Sequence, residues 1–417
     1  MSVRKREWIT ASGDKKSGWV ADYRDVKGTR RLKTFDKKKD ADSFAVTAGV
    51  EVREGVHVAD SASVTVSTAA SFWVVTGKVS GLERSTIAQR QRHIDHHIEP
   101  LIGQTLLSHL NVPGIRSFED RLRSEGRSAA MVKKVLVSLG GILADAQERG
   151  LATRNPVRDM RRNRNGKERQ AEKRQKRKLR VGVDIPTREE AKAMIAAANG
   201  RWRPFVITLI FTGMRSSELR GLRWEDLSVE KREINVTQRA DEFNEIGRPK
   251  SESGERSIPV PPIVINTLKE WRLACPRRAT PEMDADGKPV KELHYVFPNG
   301  KGHIESYSNI VKRGLQPLQI EAGITKPKLD KGGTPIRDKD GNQVMSAKYN
   351  GLHAFRHFFA SWLINSKSDG GLGLLPKTVQ ERMGHSSIIQ TMDTYGHLFP
   401  RGDDADELAT AEAAMLK

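Results

Sequence analysis

The period of apolar and polar positions changes along the chain. Near the start, Trp8–Ile9, Trp19–Tyr23 and Leu32–Phe35 fall in short alternating runs, split by turn signals at 12–14 and 26–29. Alternation of this kind predicts a three-stranded sheet. Asp36 then opens a helical pattern that runs to Gly49, with Asp36 as the predicted N-cap. Beyond 60–63 the period lengthens. Thr65–Val75 starts a helical region, Ile87, Ile94 and Ile98 recur seven and four apart, and Val112–Leu122 and Ser128–Arg149 read as two more helices. Pro100 and Gly103 break the pattern, and the short loops predict one bundle. Farther on, Pro186 and Thr187 precede Glu189 and Glu190 in a helix-start pattern. Phe205–Gly213 is too long an apolar run for an ordinary strand and predicts a buried helix. Ile234–Gln238 and Arg256–Val260 read as strands, and mostly helical sequence follows. The expectation is a mainly α protein with small β-sheets: a sheet-plus-helix module over 1–60, a helical domain over 64–157, a basic linker over 158–182, and a mainly helical domain over 183–417 that ends in a short helix from 403.

Charge sharpens this outline. The chain has 72 Lys and Arg against 52 Asp and Glu, a formal +20, and such an excess points to a polyanionic partner, most commonly nucleic acid. Aromatic residues make up 6%, which argues against base stacking on single strands as the main mode of binding. The stretch 158–180 carries a net +9 without apolar periodicity and reads as an exposed strip able to follow phosphates. Arg24, Lys27, Arg30, Arg31 and Lys33 lie on or between the first strands, and a sheet bearing them is a candidate DNA reader. Arg84, Arg90 and Arg92 are further candidates, expected to face outward. A single cysteine, Cys275, excludes a disulfide framework and a cysteine-rich metal site. The cluster His93–His97 lacks a second group of ligands and reads as a polar helix face. No apolar run is long enough to span a membrane, and the start lacks a signal-peptide pattern, so a cytoplasmic protein without membrane partners is expected.

Five segments carry chemistry. TGMRSSEL spans 212–219, with Arg215 and Glu218 three apart. PKSESGERSIPV spans 249–260, with Lys250 ahead of the strand; Lys231 and Arg248 lie nearby. HAFRH spans 353–357 and sets His353 three residues before Arg356 on a helix rich in Phe and Trp. Cations on a largely buried helix call for an anion or a carboxylate partner. MGHS spans 383–386, and DTYGH spans 393–397 with one of the five tyrosines of the chain, Tyr395. In this order and at roughly this spacing, the set resembles the catalytic domain of the tyrosine recombinase (phage integrase) family over about 183–400. The bundle resembles the core-binding domain of that family more loosely, and 1–60 resembles in outline the small arm-binding modules of some integrases.

The resemblance implies metal-free and cofactor-free cleavage of DNA. Tyr395 would attack the scissile phosphate to give a 3′-phosphotyrosine. Arg215 and Arg356 would clamp its non-bridging oxygens, and Lys250 would protonate the leaving 5′-oxygen. His353 would bond the phosphate or assist the tyrosine proton, His385 would donate to an oxygen, and Glu218 would orient Arg215 or the histidines. His357 and His397, beside the motifs, are expected to be structural. It further implies double-stranded attachment sites as substrate and a homo-tetramer on DNA, and leaves room for an accessory DNA-bending protein. The leading reading is an integrase of a prophage or genomic island. The alternatives are a chromosome-dimer resolvase, a catalytically silent DNA-binding regulator and, more distantly, a type IB topoisomerase. The segment 325–349, with its turn signals, reads as a hairpin insertion.

Overall fold

The computed structural model describes residues 1–10, 12–55, 57–162, 178–249, 251–330, 332–399 and 404–416. The chain separates into two compact units, Met1–Gln175 and Lys176–Lys417. Among the described residues, no helix is long and apolar enough to cross a membrane.

In the first unit, strands Ser2–Ile9, Lys15–Arg24 and Arg30–Phe35 form an antiparallel sheet in chain order. Helix Lys38–Arg53 packs on one face, where Phe44 meets the Tyr23 ring edge-on at 5.6 Å. The cap residue is Lys37 rather than Asp36, because the backbone stays extended through Lys37, which leaves Asp36 a position too early to reach the first free N–H groups. Period-two alternation also divides the basic residues. Arg31 and Lys33 stand opposite Tyr23 and Ala21, on the face that the helix covers. There Arg31 pairs with Asp25 at 2.9 Å and Lys33 with Asp60 at 2.6 Å. Arg24 and Arg30 are cross-strand partners on the opposite face. Arg30 donates to Asp22, and Arg24 donates to the Gly28 carbonyl across the turn that carries Lys27.

The bundle comprises helices Val66–Val79, Arg84–His93, Val112–Ser124, Ala129–Glu148 and Pro156–Arg162. Side chains of Thr65, Asn111 and Ser128 cap three of them by accepting backbone N–H groups. Ile94, Ile98, Phe118, Leu122, Leu139 and Ile142 are among the residues of its core. Two expectations need correction. Arg90 turns inward: its guanidinium lies 3.9 Å from the Trp73 ring centre and donates to the Trp73 carbonyl at 3.0 Å, so stacking and a satisfied carbonyl hold it against the bundle. His93 and His97 are buried rather than part of a polar face. A wider, π-type turn at Ile94–Ile98 rotates them inward, where His93 Nδ1 meets the Ser138 hydroxyl at 2.7 Å. Arg84 and Arg92 are exposed.

In the second unit, helix Arg188–Ala197 begins with a capping box of Thr187 and Glu190. Helix Trp202–Thr212 is buried along nearly its whole length, as its apolar run predicts. The short helix Ser216–Gly221 follows. Strands Leu227–Ser228, Glu233–Val236 and Arg256–Pro259 form an antiparallel sheet in that order. Helix Pro262–Ala274 and a hairpin, Arg278–Met283 with Pro289–Glu292, come next; the hairpin carries too little alternation to be read in advance. The 325–349 insertion is a hairpin: Thr325–Pro327 pairs with Met345–Ala347, and the Asp330 and Asp338 carboxylates accept backbone N–H groups in its inner turns. Helices His353–Ile364, Pro376–Met383, Ile388–Tyr395 and Asp404–Met415 complete the chain.

Candidate active site

Two glycines let the site close. Gly213 ends helix Trp202–Thr212 at φ +55, and a Cβ there would meet the Phe359 ring at 2.5 Å. Gly384 ends helix Pro376–Met383 at φ +62, and a Cβ there would lie 2.8 Å from Arg256. A left-handed residue with no side chain is therefore needed at both ends. The turns they make bring the segments near 213, 356 and 384 together.

Helix His353–Ile364 buries Phe355, Phe358, Phe359 and Leu363 in the core, which fixes the direction of its other side chains. Arg356 is 3% exposed. Its Nη1 donates to the Gly213 carbonyl at 2.6 Å, and its Nη2 donates to the Met383 carbonyl. Arg215 Nη2 donates to the Gly384 carbonyl at 2.8 Å, while Nη1 meets Glu218 at 2.7 Å. Each guanidinium keeps further N–H groups beyond these bonds. Arg215 is the more open of the two, with a third of its side chain exposed.

Glu218 is buried and held by two cations. Its Oε2 takes an N–H from Arg256 at 2.9 Å, and its Oε1 takes the one from Arg215. Burial alone would raise its pKa; the charges of Arg256 and then Arg215 outweigh that and carry it down to about 2. Glu218 thus bonds Arg215 and joins it to Arg256. Arg256 lies in the 249–260 segment but is not among the residues that the family resemblance marks. The signal lay in the alternation: Arg256 is two residues from Ile258, which is fully buried, and an arginine on the inward face of a strand requires a partner. Arg256 also donates to the Arg382 and Gly254 carbonyls, both at 2.9 Å, and so ties its strand to the turn before His385.

His385 is buried, and its Nδ1 meets the Thr391 hydroxyl at 2.9 Å. Its ring lies parallel to the Tyr395 ring, within 10°, with centroids 6.2 Å apart. Burial, then the charges of Arg356 and Arg215, push His385 down to about 3, so the ring is neutral near pH 7. Tyr395, the last residue of helix Ile388–Tyr395, is 1% exposed. Burial raises its phenol to about 12, against the pull of Arg356 and Arg215. The hydroxyl lies 2.7 Å from His357 Nδ1. His353 stands edge-on to His357, with centroids 4.6 Å apart, at the exposed rim. His357, expected to be structural, thus meets the tyrosine oxygen directly. His397 lies outside the cluster, with Nε2 2.7 Å from the Leu179 carbonyl.

Arg215, Glu218, His353, Arg356, His385 and Tyr395 are therefore assembled from segments up to 180 residues apart. Lys250 and most of the 158–182 linker fall outside the described residues. Among the described residues, no cluster of His, Cys, Asp and Glu could hold a metal ion. The assembly can chemically do two things: present guanidinium and imidazole N–H groups to one small anion, and hold a phenol beside them.

The phage integrase family model matches residues 186–401, just over half of the 417. A tyrosine recombinase XerC-like protein of Caldanaerobacter subterraneus subsp. tengcongensis is 25% identical over 397 residues, covering 91% of each chain. The ICEBs1 integrase of Bacillus subtilis is 22% identical and covers 82% of this chain and 81% of its own. Among solved structures, the Tn1549 transposon integrase in complex with transposon right-end DNA superposes with a TM-score of 0.59 at 19% identity, over 84% of this chain and all of the other. A lambda integrase dimer bound to a COC′ core site gives 0.53 at 15% identity, over 95% of this chain and 96% of the other. These likenesses agree with the mainly helical fold and its N-terminal sheet module. The protein belongs to the phage integrase family, the tyrosine-type site-specific recombinases.

Proposed function

We propose that the chain is the integrase of a mobile element, a prophage or genomic island, and that it cuts and rejoins duplex DNA through a 3′-phosphotyrosine at Tyr395. The observation that carries the reading is the meeting of the buried Tyr395 phenol, with His385 and His357 against it, and a pocket in which the charges of Arg256, Arg215 and Arg356 act on one buried carboxylate, Glu218. Such a pocket lacks an anion, and a scissile phosphate supplies one. Arg215 and Arg356 then donate to its non-bridging oxygens, where charge builds during transfer. Lys250 is the proposed acid for the leaving 5′-oxygen, and His353 and His385 donate to the phosphate. A covalent intermediate conserves the energy of the phosphodiester for rejoining.

The integrative-element, prophage and transposon names of several relatives support the mobile-element assignment. The N-terminal sheet module supports an integrase over a chromosome-dimer resolvase. Duplex attachment sites are the proposed substrate, four protomers the proposed assembly on DNA, and an accessory bending protein a proposed further partner. The proposed division of labour is an arm-binding module over 1–60, a core-binding domain over 64–157, a basic linker over 158–182 and a catalytic domain over 183–417. The test uses a nicked duplex whose core is selected from a random-sequence pool by the full chain, without divalent metal. A denaturant-resistant protein–DNA adduct is expected with the native chain and none with Tyr395→Phe. Tight binding without an adduct from the native chain would leave the silent regulator as the better reading.

A further inference from the structure

We propose that His357 is a further catalytic residue of strand cleavage: its Nδ1 holds the Tyr395 hydroxyl and takes that proton as the phenolic oxygen attacks phosphorus. The proposal rests on the reading of Tyr395 as nucleophile.

Geometry selects His357 from the three histidines around the tyrosine. Its Nδ1 lies 2.7 Å from the phenolic oxygen, within the range of a working proton transfer. His385 presents its ring face to the tyrosine ring, and its Nδ1 is engaged by Thr391 at 2.9 Å. His353 meets His357 ring to ring and stands at the rim of the site. Tyr395 is 1% exposed, so bulk water has no access to the hydroxyl and its proton needs a built acceptor. His353 and His357 are four apart on one helix, which sets both on the side that faces the tyrosine.

Charge fits the role. The groups facing His357 are His353 and Arg356 from its own helix, Asp184 from the segment ahead of helix Arg188–Ala197, and Tyr395 itself. Burial, then the charges of His353 and Arg356, lower its pKa to about 4, against the pull of Asp184. The ring is thus neutral near pH 7 and can offer Nδ1 as an acceptor. Protonating it beside Arg356 is costly in the DNA-free chain, which keeps the phenol intact at rest. A bound phosphate adds the negative charge that offsets the new imidazolium. In the step itself, the Tyr395 oxygen–phosphorus bond forms and the phosphorus–5′-oxygen bond breaks. The phenol proton passes to His357 Nδ1, and the leaving oxygen takes a proton from the proposed acid, Lys250. On rejoining, His357 returns its proton to the tyrosine oxygen.

The test compares single-turnover cleavage of the selected nicked duplex by the native chain and by His357→Asn and His357→Gln. Both variants should bind DNA as the native chain does and cleave roughly 10²–10⁴-fold more slowly. A substrate with sulfur at the 5′-bridging position needs no acid at its leaving group, so it should leave the defect in place. Fluorinated tyrosine at 395, a stronger acid than tyrosine, should recover about tenfold or more of the loss. Native-like cleavage by both variants, or full recovery on the bridging-sulfur substrate, would overturn the proposal while leaving Tyr395 as nucleophile. Failure of the native chain to form an adduct would instead remove the underlying reading. Thermal unfolding of the variants separates a chemical defect from misfolding. Should neither variant fold, fluorotyrosine placed in the otherwise native chain carries the test through its rate: faster attack at low pH supports a proton-transfer step at this oxygen, and an unchanged rate contradicts it.

Discussion

In the N-terminal sheet, Arg30 meets Asp22 and Arg31 meets Asp25. In the second unit, Arg356 donates to the carbonyls of Gly213 and Met383, and Arg215 and Arg256 share the single carboxylate of Glu218. The same residue type is balanced at home in the first place and left in excess in the second. A locally balanced arginine adds little to stability or to binding at its own position, whereas a buried surplus of positive charge prepares a seat for an anion. The difference also explains which signals could be read. Paired surface arginines look identical, in a sequence, to arginines free for DNA. Arginines at the fixed spacing of a chemical constellation do not.

The largest effect that would break the contrast is expected at Arg215. Arg215→Lys keeps the charge but loses the planar fork on Glu218 and the Gly384 carbonyl. Single-turnover cleavage should fall by roughly 10²–10³-fold with DNA binding retained; an unchanged rate would mean that the fork is not used. Next comes Glu218→Gln, which strands Arg256 and Arg215 and should destabilise the fold by about 3 kcal/mol in urea unfolding. Its pH signature has a definite sign. The carboxyl is held at about 2, below its ordinary 4.5, so it contributes stability fully above pH 4.5 and loses it as pH falls toward 2. The native chain should lose stability through that window, and the glutamine variant should lose less.

The histidines act in a higher window. His385 and His357 are held at about 3 and about 4, so each resists protonation when folded but not when unfolded. Stability from them is complete above about pH 6.5 and declines as pH falls below it. Melting temperature measured between pH 7 and 5 should fall less steeply in His385→Asn than in the native chain. The smallest effect is expected in the other unit. Arg30→Ala removes an exposed partner of Asp22 and should leave the urea midpoint close to that of the native chain; a clear drop would show that the sheet depends on its charge pairs.

Much of the fold was legible because period and capping carried it. Alternation gave the first sheet, and the apolar run at 205–213 gave a buried helix, as found. Thr187 and Glu190 announced a helix start that the capping box realises. Arg90 and the histidines at 93 and 97 were misread for one reason: a local spacing rule does not see a π-type turn or the Trp73 ring that another helix brings to Arg90. Most of the candidate site was legible from its five spaced segments. The part of Arg256 was not, because its partner Glu218 lies 38 residues away on another element. The contact of His357 with Tyr395 was hidden for the same reason, since only the folded chain brings residues 38 apart within 2.7 Å.

The most direct test of the account is to locate the covalent bond. The adduct formed on the selected nicked duplex would be digested with nuclease and trypsin and its peptides sequenced by mass spectrometry. The account predicts a nucleotide joined through its 3′-phosphate to Tyr395; the same nucleotide on any other residue, or an adduct that persists in Tyr395→Phe, would contradict it.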